Sequence, residues 1–316
     1  MLWKIGADQV FSKRLSLQKN ILKGAIIHTT GVFMLVLSIA CGNTSSELLT
    51  KEKTVDTISL NRSNAANRPV DTTLSINGRA VSIKYPDTIS CGTILCLPGW
   101  NFSRTDVCER SSFCKEALRR GFVLVMPEMG KSIYATSLYE ETRTDWKKFP
   151  QLSFIIDSLL PFLQNQFSLL KYGQNNFLYG ISTGARGVAM IAMHTDSLFC
   201  AGAALSGDYD QRLLPGDNLM KGYYGEYPTF KKRWEKDDPL LYAENIVIPI
   251  YLAHGGKDKI VPTEQTKLFY EKLISVNKKI PHQLHIDENA EHNYDFWGGN
   301  TDKVLSYFSG NSAKRK

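Results

Sequence analysis

A chain of 316 residues, 43% of them hydrophobic, can bury a large core and has room for one large domain or two small ones. Its formal charge of +7 sits at its ends: Lys4, Lys13, Arg14, Lys19 and Lys23 outweigh Asp8 near the start, and Lys314, Arg315 and Lys316 close the chain. The body between is near neutral, which leaves no basic face to recruit nucleic acid, and no internal repeat points to a solenoid.

In chain order, the first feature is a basic stretch followed by the apolar "GVFMLVLSIAC", too short to span a bilayer unless "AIIHTT" is recruited, and ending in small residues before Cys41. Leu37, Ala40 and Cys41 resemble a bacterial lipoprotein signal, with Ser38 where that pattern usually has a large aliphatic residue. The resemblance implies a signal segment over 1–41, lipidation of Cys41 and attachment to an envelope membrane through that lipid. An uncleaved signal anchor and an ordinary secretory peptide are the alternatives, and all three export the protein. With Cys41 set aside, Cys91, Cys96, Cys108, Cys114 and Cys200 form an odd set, so at least one thiol stays free. Cys108 and Cys114 could bridge in an oxidising compartment. On one regular helix, however, six residues turn them about 240° apart, so buried structural thiols are the expectation. No CxxC or paired Cys/His cluster signals zinc, and neither metal nor cofactor is called for.

Residues 42–69, rich in Ser, Thr, Asn and Lys, read as a flexible tether with a root-mean-square reach of about 30 Å. Order begins with "TTLSINGRAVSIKYP", two alternating runs around Asn77-Gly78, the signature of a type I′ hairpin. Short apolar runs then alternate with helical patterns: "TILCLPG", "VCERSSFCKEALRRG", "FVLVMPEM", "QLSFIIDSLLPFLQNQF", "NFLYG", "GARGVAMIAMH" and "CAGAALSG". After an irregular stretch over about 208–245, read as a cap insertion, come "IPIYLAHGG", "TEQTKLFYEKLISV", "HQLHID" and "TDKVLSYF". Continuous apolar strands separated by helices predict an α/β fold over 70–312, three layers around a mostly parallel sheet opened by an antiparallel hairpin, with a basic tail at 313–316.

Between strand "NNFLY" and helix "ARGVAMIAMH" stands Gly180-x-Ser182-x-Gly184. About one unrelated chain in ten of this length would contain such a pentapeptide by chance, but the strand–turn–helix setting is the one a nucleophile elbow requires. The alternative is an ordinary turn with Ser182 as an N-cap. A serine hydroxyl needs a base. His28 lies in the signal, His194 a helix length away, His282 and His285 in a strand pattern, and His254 at a strand end that suits a structural hydrogen bond. His292, in the loop "NAEHNYDFW", is placed where the carboxyl edge of the sheet gathers loops. The acid that orients it is assigned to Asp258, which follows a strand and two glycines in "AHGGKDKIVP"; Asp208 and Asp210 in "SGDYD" are the rivals. Backbone N–H groups of Thr183 and Trp100 are the expected oxyanion hole, with Asn101 in reserve.

With these motifs in order, the chain resembles the α/β-hydrolase superfamily over about 72–310, and within it the esterase D and dienelactone hydrolase-like branch of secreted bacterial esterases. The resemblance implies an acyl-enzyme mechanism: Ser182 attacks an ester carbonyl, His292 shuttles the proton and Asp258 orients it. The loop after the first parallel strand departs from the family in carrying Pro98-Gly99 in place of a His-Gly pair. Asn101, Tyr134 and Trp234 are the candidates for substrate contact, and the cap aromatics could form platforms for sugar rings, although packing is their commoner use. The expected substrate is a small-molecule or glycan ester. Two other readings stand: a serine peptidase like the catalytic domain of prolyl oligopeptidases, whose usual N-terminal propeller the tether leaves no room for, and a surface lipoprotein that keeps the fold only for binding.

Overall fold

A computed structural model describes residues 70–312. The signal segment, Cys41, the tether and the tail at 313–316 lie outside the described residues. Asn77 and Gly78 take φ values of 47° and 73°, the two positive angles that a type I′ turn needs. They join β1 (Thr72–Ile76) to β2 (Arg79–Lys84) with Ile76 opposite Arg79. β2 pairs antiparallel with β4 (Phe122–Pro127), and all further pairings are parallel, through β3 (Gly92–Leu97), β5 (Asn176–Ile181), β6 (Ala201–Leu205), β7 (Ile250–Gly255) and β8 (Gln283–Asp287). The order is β1-β2-β4-β3-β5-β6-β7-β8, so the chain steps outward from β3 to β4 and then back across to β5. Strand direction of travel reverses between β3 and β5, and in open parallel sheets that is where a crevice opens beyond the carboxyl ends.

Alternation along each central strand feeds both faces. Leu95, Leu97 and Leu178 enter one core, while Ile94, Cys96, Phe177, Tyr179 and Ile181 enter the other. α1 (Asp106–Glu109) and α2 (Phe113–Arg119) cover the second face, and α3 (Leu160–Gln166) and α4 (Thr183–Ala192) cover the first. α5 (Asn218–Tyr224) and α6 (Tyr227–Lys236) lie in the insertion. α7 (Glu264–Val276) returns to the face of α4, and α8 (Tyr294–Gly299) and α9 (Thr301–Gly310) to that of α2. Every residue of α4 is buried. No helix among the described residues is long and apolar enough to cross a membrane.

Three stretches differ from the sequence reading. The segment expected as one helix over "VCERSSFCKEALRRG" is two, because Ser111 Oγ bonds the Val107 carbonyl at 2.5 Å and accepts the Phe113 N–H at 3.2 Å, diverting the backbone ladder. The break brings the Cα atoms of Cys108 and Cys114 to 5.0 Å, and they form a disulfide instead of the two buried thiols expected from a continuous helix. The helix around Pro161 begins as a π-helical segment over Phe154–Leu159, since proline supplies no N–H to the turn before it. The insertion is not irregular: Asp217 caps α5 by accepting the Met220 N–H at 2.8 Å, Gly225 (φ 82°) breaks the chain, and Pro228 opens α6.

The disulfide makes a stability prediction. Closing so short a loop contributes about 2 kcal/mol through the unfolded state. Cys108→Ala/Cys114→Ala should therefore lose about that much in denaturant unfolding, while wild-type protein under reducing and oxidising conditions should differ by the same amount; equal stability in the two buffers contradicts the bridge.

Candidate active site

β5 ends at Ile181, and the next residue turns the chain into α4. Ser182 holds φ 54° and ψ −126°, a left-handed conformation that costs a non-glycine residue of order 1–3 kcal/mol. The glycines on either side make the turn possible. A Cβ on Gly180 would overlap the Gly184 carbonyl, and one on Gly184 would overlap the carbonyl of Leu97 at the end of β3. Ser182 stands at the N-cap of α4 without using its side chain to cap it. Its Oγ lies 2.9 Å from His292 Nε2 instead, which decides against the ordinary-turn alternative.

Two loops zipped together deliver the histidine and its acid. Gly256 N–H donates to the Asp287 carbonyl at 2.7 Å and Lys257 N–H to Ala290 at 2.9 Å. A Cβ on Gly255 or Gly256 would press into the backbone of Ala290 or Glu288, so the paired glycines permit this approach. Asp258 then reaches His292 with Oδ2 2.6 Å from Nδ1, while its Oδ1 accepts the N–H groups of Ile260 and Val261, both at 2.8 Å. A carboxylate only accepts, so Nδ1 carries the proton and Nε2 is free to accept from Ser182. Burial pushes the Asp258 carboxyl up, but hydrogen bonds from His254, His292 and the Val261 N–H outweigh it and hold the group well below the usual carboxylate range. The ring of His292 also meets Trp297 edge-on at 5.1 Å, and Trp297 Nε1 donates to Ser206 Oγ at 3.1 Å. The sequence reading missed Trp297, which lies on α8; Asn293, whose Oδ1 caps that helix through the Phe296 N–H at 3.1 Å, was the available signal.

Neither rival acid hydrogen-bonds the His292 ring as Asp258 does. Asp210 pairs with Arg212 at 2.8 Å, and Asp208 faces the fully buried Arg186 at 3.6 Å; burial pushes the Asp208 carboxyl up to about 6 against the pull of that guanidinium. The remaining described histidines do not reach Ser182. His194 bonds the Met190 carbonyl, His282 the Ile250 N–H and His285 the Lys303 ammonium.

Of the expected oxyanion donors, Thr183 opens α4, where the first N–H groups have no acceptor within the helix. The loop holding Trp100 is close, since a Cβ on Gly99 would stand 3.1 Å from that of Ser182. Asn101, the reserve, gives its N–H to Gly130 at 2.8 Å and is withdrawn as a backbone donor, though its side chain is exposed. Tyr134 and Trp234, the other candidates for substrate contact, are both fully buried. Tyr134 is fully buried and its hydroxyl donates to the Pro98 carbonyl at 2.9 Å, bracing the Leu97–Trp100 loop from behind. Trp234 is fully buried with its Nε1 on the Gly225 carbonyl, in an aromatic cluster with Trp146, Tyr223 and Tyr224 against which half-buried Trp100 packs.

Residues 111–308, more than half of the chain and including Ser182, Asp258 and His292, match the family model described as the prolyl oligopeptidase family. The chain belongs to the prolyl oligopeptidase family. No curated protein sequence matches this member of it. Among solved structures it is similar in fold to a fluorophosphonate-binding serine hydrolase of Staphylococcus aureus, FphF, at a TM-score of 0.61 and 18% identity over 76% of this chain and 97% of that one. It is also similar to an S-formylglutathione hydrolase from Agrobacterium tumefaciens (TM-score 0.64, 16% identity, 77% and 95% covered). An acylaminoacyl peptidase of Pyrococcus horikoshii aligns at a TM-score of 0.60 and 16% identity, over 79% of this chain but 42% of the peptidase. The α/β-hydrolase architecture expected from the motifs is thus the fold of this family member and of its structural neighbours.

The acid assignment is checked by phosphonylation kinetics. Asp258→Asn should slow labelling of Ser182 by a fluorophosphonate by roughly 10³–10⁴, because the amide favours the wrong imidazole tautomer. Asp208→Asn and Asp210→Asn should stay within about tenfold of wild type, and a larger loss in either than in Asp258→Asn contradicts the assignment.

Proposed function

We propose that the protein is a serine hydrolase that cleaves carboxylic esters of small molecules through an acyl-enzyme on Ser182. The observation that carries the reading is the continuous relay from Asp258 through His292 to a strained serine whose hydroxyl has no structural employment. In the first step His292 Nε2 takes the proton as Ser182 Oγ adds to the ester carbonyl, and buried Asp258 stabilises the imidazolium that forms. Developing charge on the carbonyl oxygen meets the Thr183 N–H at the α4 N-terminus and, in this reading, that of Trp100. The proton passes to the leaving alkoxide, and water activated by the same imidazole releases the acid.

Two observations favour a peptidase as the second reading: the family to which the chain belongs and the fold shared with an acylaminoacyl peptidase. The preference for esters rests on the fit of most of the chain to nearly the full length of a fluorophosphonate-binding serine hydrolase, an S-formylglutathione hydrolase and a ferulic acid esterase. A glycan ester has less support, because Tyr209, Tyr223, Tyr224 and Trp234 are fully buried and offer no platform to a sugar ring. Export and lipid attachment at Cys41 are proposed from the sequence alone.

Purified protein should hydrolyse a short-chain aryl ester at least about a hundredfold faster than an aminoacyl-proline chromogenic peptide, and Ser182→Ala should abolish both the turnover and fluorophosphonate labelling. The reverse preference would establish the peptidase, and turnover that survives in Ser182→Ala would remove the serine from the mechanism. Release of acetate or hydroxycinnamate from acylated polysaccharide, measured beside the aryl ester, tests the glycan substrate. Mass spectrometry of membrane fractions should find a diacylglyceryl group on Cys41.

A further inference from the structure

His254 stands near the carboxyl end of β7, four residues before the triad acid, and is fully buried. The sequence reading gave it a structural hydrogen bond, and it has one: Nδ1 lies 2.6 Å from Thr266 Oγ1 on α7, and Nε2 lies 2.9 Å from the Val261 carbonyl. Nε2 also lies 3.1 Å from Asp258 Oδ2. A carbonyl and a carboxylate can only accept, so Nε2 carries the proton and shares it between them, and Nδ1 accepts from the Thr266 hydroxyl. Oδ2 of Asp258 is therefore the meeting point of two imidazole donors, His292 from the substrate side and His254 from behind.

We propose that His254 is a positioning residue of the hydrolytic relay, a second donor that fixes the Asp258 carboxylate and divides its charge between two imidazoles. The proposal rests on the serine-hydrolase reading above. A hydrogen bond to an ionised group is worth more than one between neutral partners, and here it lies in a site shielded from water. Its effect on Oδ1 is nil, since Ile260 and Val261 already hold that oxygen; its effect falls on the oxygen that serves His292. Each donor to Oδ2 withdraws charge from the other, so His254 weakens the pull of Asp258 on a proton at His292. Asp258 and, from the loop after β6, Asp208 are charged groups that face His292. Asp258 also faces His254. Removing the His254 donor leaves a larger share of the carboxylate charge to His292, which then holds its proton to higher pH and acts as a base over a narrower range.

The experiment compares kcat/KM against pH for aryl-ester hydrolysis by the full chain, His254→Leu and His254→Gln, whose amide returns an N–H near the place of Nε2. His254→Leu should lower kcat about tenfold at unchanged KM, the size of one hydrogen bond to a charged group, and move the acid limb upward by about half to one pH unit. His254→Gln should bring the limb back to the wild-type position. A folded His254→Leu protein whose acid limb coincides with that of wild type overturns the proposal. A second measurement needs neither variant nor substrate: ¹⁵N-histidine NMR of the resting wild-type protein should show His254 protonated at Nε2, and a proton at Nδ1 instead overturns the proposal. Failure of the underlying hydrolase reading would show separately, as absence of wild-type turnover and of labelling at Ser182.

Discussion

The contact on which this active site depends is the approach of α4 to the end of β3, where Gly184 lies against the Leu97 carbonyl with no room for a side chain. That approach sets the helix axis directly behind the crossover point of the sheet. It presents the first turn of α4 to the crevice and puts Ser182 beside the Leu97–Trp100 loop. It also forces Ser182 into its left-handed conformation, a local cost that the surrounding packing repays: all of α4 is buried, and Ser182 N–H bonds the Leu205 carbonyl of β6 at 2.9 Å. Strain at Ser182 and density of the core are two sides of one arrangement.

A second pair of glycines does the corresponding work for His292. Gly255 and Gly256 let the loop after β7 lie against the loop after β8, and two backbone hydrogen bonds between them fix the spacing of Asp258 and His292 before any side chain is considered. The carboxylate is then surrounded by four donors, and this is why it stays ionised despite its burial. The two supports converge because strands β3, β5, β7 and β8 run parallel and deliver their following loops to the same edge. The residues of the relay are far apart in the chain and near in space for a topological reason.

Much of this was legible in the sequence, and what was not has physical causes. Asn77-Gly78, Gly180-x-Ser182-x-Gly184 and Gly255-Gly256 announce themselves because glycine or asparagine is demanded by backbone geometry that other residues resist. Periodicity identified the strands because those of a covered parallel sheet are apolar throughout. The disulfide was missed since helical propensity around Cys108 and Cys114 runs unbroken, and the interruption is made by one hydroxyl, Ser111, turning back onto the chain. The same limit hid α5, α6 and α8, whose caps at Asp217 and Asn293 are plain only once their partners are known. The burial of Tyr134 and Trp234 is not legible in the sequence, because an aromatic near a catalytic motif has the same letter whether it faces a crevice or the core, and burial is a property of the fold.

In the proposed mechanism an acyl group resides covalently on Ser182 during turnover. Rapid mixing of the protein with excess aryl ester tests it directly. A burst of phenol equal in amount to the enzyme is expected, with acid-quenched protein whose acyl mass increment maps to the peptide containing Ser182. Turnover with the acyl group found on another residue would contradict it.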